Sequence, residues 1–120
     1  MLVHQLLGNE GILLIHPDGP IAVGDFEAVA RSVDPYIEQK GTLRGVMIQA
    51  QSFPGWESFA ALMSHMRFVR DHHRSIGKVA AVSDSAILSI APQIAKHFVQ
   101  AEIRHFSAED RDVALAWLRE

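Results

Sequence analysis

The chain has 120 residues, 48% of them hydrophobic and 21% charged, which is ordinary globular usage with length for one core and not for two. A formal net charge of −3 argues against the basic face that nucleic acid demands, and the absence of cysteine removes disulfides, cysteine–zinc sites and thiol catalysis together. The start, Met1 to Leu7, lacks the basic residues and long apolar run of a signal peptide, and no segment approaches the ~20 apolar residues of a membrane span, so a cytoplasmic protein with at most peripheral membrane contact is expected.

Residues 2–7 and 11–16 read as strands joined by Gly8-Asn9-Glu10-Gly11, whose residues tolerate positive φ, so the pair forms an antiparallel hairpin. Ile12-Leu13-Leu14-Ile15 is apolar on both faces and belongs inside a sheet covered on both sides. His16-Pro17-Asp18-Gly19-Pro20 is a loop. A helix follows over 25–39, with Phe26, Val29, Ala30, Val33 and Ile37 as its buried stripe; Pro35 predicts a kink or an early end, and Gly41 a stop.

A strand over 45–50 and a loop over 52–55 lead into a second helix, 57–73, whose buried stripe is Phe59, Leu62, Met63, Met66 and Val69. A strand over 78–82, a helix over 86–98 and a strand over 102–106 come next. Ser107-Ala108-Glu109-Asp110 matches a capping box and opens the last helix. The order β-β-α-β-α-β-α-β-α predicts one α/β domain over 1–120: a mixed five-stranded β-sheet, an N-terminal antiparallel hairpin followed by βαβ units, flanked by four helices.

This element order resembles SpoIIAA and the wider STAS domains, and more closely the SpoIIAA-like family, whose fold is compared with CRAL-TRIO lipid-binding domains. The likeness is carried by Asp25-Phe26 opening the first helix, by Phe53-Pro54-Gly55-Trp56, and by Lys78-Val79-Ala80-Ala81-Val82-Ser83-Asp84. Ala101 to Phe106 and Ala114 to Leu118 complete it. The resemblance implies a domain that binds ligands or partner proteins without catalysis. In the sporulation regulators a serine in an Asp-Ser-Ser-Gly motif is phosphorylated to switch partners; this chain has Gln51-Ser52-Phe53-Pro54-Gly55 there, which departs from that motif. Members nearer this chain look like binders of apolar ligands or membrane surfaces. Family members also often carry a Trp where this chain has Ile87.

In open α/β sheets ligands bind outside the carboxyl ends of the parallel strands. The segments delivered there mix Phe53, Trp56 and Ile87 with Gln51, Ser52, Asp84 and Ser85, the composition of a small-molecule pocket. The third helix, uncharged from Ser85 to Ala95, with Ile87, Ile90, Ala91, Ile94 and Phe98 on one stripe and Leu88 off it, reads as core packing. Its other reading is a mobile lid or a helix lying on a bilayer. On the second helix, Phe68 falls opposite the predicted core stripe, with Ala61, His65 and His72 beside it, which reads as a homodimer face.

Seven histidines invite a metal, but His65, His72 and His73 lack the three- or four-residue spacing of a helical zinc pair. No Gly-x-Ser-x-Gly elbow supports Ser52 or Ser85 as the nucleophile of a hydrolase, and no nucleotide-cofactor loop is present. The expectation is therefore a non-catalytic domain, without cofactor or metal, binding an apolar or lipid-like small molecule or associating with a membrane surface. The alternative is an interaction module of anti-sigma-antagonist type with a regulatory protein partner or a second copy; an unrecognised Ser hydrolase is the remote one.

Overall fold

Apolar β-runs bounded by glycine and proline assemble into one five-stranded sheet, which the computed structural model describes over residues 1–120. The elements are β1 (Leu2–Leu7), β2 (Ile12–Pro17), α1 (Asp25–Lys40), β3 (Leu43–Gln49), α2 (Phe59–His72), β4 (Ile76–Val82), α3 (Ala86–Ala95), β5 (Glu102–Phe106) and α4 (Arg111–Arg119). The strands lie in chain order; β1 is antiparallel to β2, and every later pairing is parallel. Each βαβ unit advances the sheet in one direction, so right-handed crossovers place α1, α2 and α3 on one face. Only α4 covers the other, against β3, β4 and β5.

The pleat separates two cores. Ile12, Met47, Ala80, Val82 and Phe106 meet Ala114, Trp117 and Leu118 of α4. Their neighbours in the strands, Leu13, Ile15, Leu43 and Val46, meet Phe26, Val29 and Val33 of α1. Gly45 sets how closely α4 approaches, since a Cβ there would lie 2.7 Å from Leu118 Cδ2. Lys78 Nζ donates to the Trp117 carbonyl at 3.0 Å and sits 5.0 Å from the indole centre, satisfying a carbonyl at the α4 carboxyl end.

Several boundaries differ from expectation. β3 and β4 start two residues earlier, at Leu43 and Ile76, where their first residues pair. Pro35 does not end α1: the donor it removes would serve the Arg31 carbonyl, which lies on a solvent-exposed stretch. α2 begins later because Ser58 caps it, its hydroxyl accepting from Ala61 N–H at 3.1 Å. α3 stops at Ala95 and not near Phe98, one turn beyond Pro92. The capping box at Ser107 does not form; the Asp84 carboxylate accepts from Ala108 N–H at 3.0 Å instead.

Candidate functional site

α2 leans chiefly on α1, and α3 on β5 and β4, so the space between them above β3 and β4 is left unfilled. A cavity of about 260 Å³ occupies it. Its floor is Val46 and Ile48 of β3, Ile76 and Val79 of β4, and Ile103 of β5. Phe68 and Val69 of α2 and Leu88 and Ala95 of α3 form its roof, and Phe53 and Pro54 close the end at the strands' carboxyl termini. The lining is apolar except for the rings of His65 and His73.

Long-range ties hold the roof in place. The loop after β2 and the loop after β3 are stitched by Ile21 N–H to the Gly55 carbonyl and Glu57 N–H to the Ile21 carbonyl, each 2.9 Å. Gly55 has φ +79°, the left-handed region in which glycine is favoured. Ser64 Oγ donates to the Val23 carbonyl at 2.9 Å, pinning α2 to the first of these loops.

An aromatic column runs along the α1–α2 seam. Phe53 meets Trp56 edge-on at 4.8 Å, Trp56 Nε1 donates to His65 Nδ1 at 3.1 Å, and His65 stacks on Phe26 at 4.2 Å. Phe26 contacts Phe68 at 5.0 Å, and Phe68 stacks on His72 at 4.1 Å. An indole nitrogen only donates, so His65 Nδ1 accepts and the ring's one proton sits on Nε2. Burial holds this ring neutral, lowering its pKa from 6.5 to about 4. At the far end His72 Nε2 meets Asp34 Oδ1 at 2.7 Å.

Of the residues expected to bind a ligand, Phe53 lines the cavity and Trp56 backs it through Phe53 and His65. Gln51 and Ser52 are exposed outside it. Asp84 is engaged with Ala108, and Ser85 precedes α3 with its N–H given to Ser83 Oγ. Neither Ser52 nor Ser85 is hydrogen-bonded to a histidine, and no group of three or more His, Asp or Glu converges as a metal site would require. Ile87 points outward at 62% exposure, while Leu88, off the expected stripe, turns into the cavity.

The expected interface on α2 is corrected by the structure. Ala61 is fully buried, His65 and Phe68 line the cavity, and His72 packs on Phe68; this face is the inward one. Phe59, Met63 and Met66, expected in the core, are exposed, with Phe59 at 74%. The charges decide the orientation: Arg67 and Arg70 share the outer face with Phe59 and Met63, and burying them without partners would cost far more than exposing three apolar side chains. The core reading of the α3 stripe is likewise overturned, since Ile87, Ile90, Ile94 and Phe98 are all more than half exposed. The two helices together therefore roof an apolar cavity and present an apolar outer surface.

This geometry defines an α/β domain with a three-helix layer raised over an apolar cavity. The chain belongs to the SpoIIAA-like family, whose model matches residues 12–119. Among solved structures it is similar to an uncharacterized protein from the DUF3478 family with a SpoIIAA-like fold, from Shewanella loihica PV-4. The two share 18% sequence identity and a TM-score of 0.71 over 98% of this chain and 92% of the other, a likeness of fold. No curated protein matches the chain.

Proposed function

We propose that the protein is a non-catalytic binding domain that takes an apolar small molecule into the cavity beneath α2 and α3. The observation that carries this reading is the 260 Å³ cavity, walled by hydrophobic side chains and two histidine rings. Apolar space of this kind has few other uses: polar solutes would lose their hydration there without recovering hydrogen bonds. At ~30 Å³ per water-sized group the cavity holds on the order of nine, a short acyl chain or a one- or two-ring compound. A longer chain would leave between α2 and α3.

The outer surface supports a second, linked reading, contact with a membrane surface. Ile87, Ile90 and Ile94 on α3, Phe98 just beyond it, and Phe59, Met63 and Met66 on α2 are exposed, and Arg67 and Arg70 follow on the same face of α2. A large exposed apolar surface with a basic margin suits a headgroup boundary. No helix is long and apolar enough to cross a membrane.

Native mass spectrometry of the freshly purified protein tests the primary reading. A bound species of a few hundred daltons, extractable into organic solvent on denaturation, is the expected result. A uniformly apo mass, unchanged after incubation with decanoic acid and with naphthalene, would contradict it.

A further inference from the structure

The other face of the sheet carries a site of different chemistry. α4 covers β3 to β5 and leaves the β1–β2 hairpin open on that side, so a trough of about 180 Å³ runs between them. Val3, Leu14 and Met47 form its apolar floor, and Gln49, His16 and Arg111 gather at its end. We infer that this trough binds a small carboxylate with a short apolar tail, its oxygens held by Arg111 and its tail on the floor.

Three features argue for an anion. Arg111 Nε donates to Gln49 Oε1 at 3.1 Å, which orients the guanidinium and leaves its two terminal nitrogens free. Arg111 forms no ion pair, although Glu109, Asp110 and Asp112 are its near neighbours in sequence. That same bond occupies the oxygen of the Gln49 amide and leaves its NH2 as a donor. His16 Nδ1 lies 3.1 Å from the Gln49 carbonyl oxygen, so it donates, fixing the ring at the trough's mouth. The free fork of a half-buried arginine matches a carboxylate bidentately. The volume, on the order of six water-sized groups at ~30 Å³ each, sets the tail at a few carbons.

The trough and the cavity under α2 and α3 lie on opposite faces of the sheet and share only Ile15 in their linings. Its test is a titration of the folded protein with sodium hexanoate, followed by amide shifts in 1H–15N spectra. Saturable shifts at Val3, His16, Gln49 and Arg111 are expected. Hexanol should produce none there, and inorganic phosphate should bind more weakly for want of a tail. Gln49→Glu supplies Arg111 with an internal carboxylate and should weaken hexanoate by about tenfold or more, the cost of a lost charged hydrogen bond, without unfolding the chain. Arg111→Gln should do the same. Hexanoate shifts confined to Phe68 and Leu88 would overturn the inference, as would hexanol binding equally in the trough or unchanged affinity in folded Gln49→Glu. Phosphate binding as tightly as hexanoate would overturn the apolar-tail assignment.

Discussion

Trp56 Nε1 donates to His65 Nδ1 across 3.1 Å, and this bond joins the loop after β3 to the inner face of α2. It exists only while His65 is neutral at Nδ1. The folded pKa of His65 is about 4 against an ordinary 6.5, so between these values the unfolded chain binds the extra proton. Stability from this site is complete above about pH 6.5 and is lost as pH falls toward 4. The shift corresponds to about 3 kcal/mol over that window. Urea denaturation at pH 4.5 and at pH 7 should show a smaller pH dependence for His65→Phe than for the unsubstituted protein. Equal pH dependences would contradict the neutral-histidine assignment.

Phe68 sits between Phe26 and His72 on the inward face of α2. Phe68→Glu should therefore destabilise the fold by on the order of 3 kcal/mol or more, placing a carboxylate in the apolar layer. Chemical denaturation measures it. A variant of unaltered stability would restore Phe68 to the surface.

The α3 outer stripe should behave in the opposite way. Ile90→Lys and Ile94→Lys lie on exposed positions, and each should change stability by no more than about 0.5 kcal/mol. If the surface contacts membranes through its apolar side chains, the double variant should lose co-sedimentation with vesicles of zwitterionic lipid. Retained co-sedimentation would remove this face from the membrane reading.

Gly45 faces Leu118 with no room for a methyl group. Gly45→Ala should cost about 1–3 kcal/mol through overpacking, and shortening Leu118 to Val in the same chain should recover part of it. Additive losses in the double variant, seen in denaturation midpoints, would show that the two do not press on each other.

The sheet was legible because its signals are local. Ile12 to Ile15 and Val79 to Val82 are short apolar runs between turn residues, and their order alone implies parallel crossovers. The orientation of α2 was not, because both of its faces are apolar. Its inner face is built from Ala61, Ser64, His65 and Phe68, and the polar members find partners far along the chain, Val23 for Ser64 and Trp56 for His65. Periodicity selects the greasier stripe; Arg67 and Arg70 on that same stripe were the available signal that it faces water. α3 has no charge between Ser85 and Ala95, so nothing in it marks the outer side. The cavity itself belongs to neither helix, since it arises from the gap between them. Phe53 is legible as a residue near the cavity because it follows a parallel strand's carboxyl end, while Leu88 is hidden by lying off the stripe.

The central claim is most directly tested by fluorescence titration with 1-naphthylamine, a two-ring apolar probe uncharged at neutral pH, comparing the unsubstituted protein with Ala95→Phe and Ile90→Lys. Ala95 lines the cavity and Ile90 faces away from it. Saturable binding to the unsubstituted protein, retained in Ile90→Lys and lost in a folded Ala95→Phe, is the predicted result. Equal binding to all three, or none to any, would contradict a ligand site beneath α2 and α3.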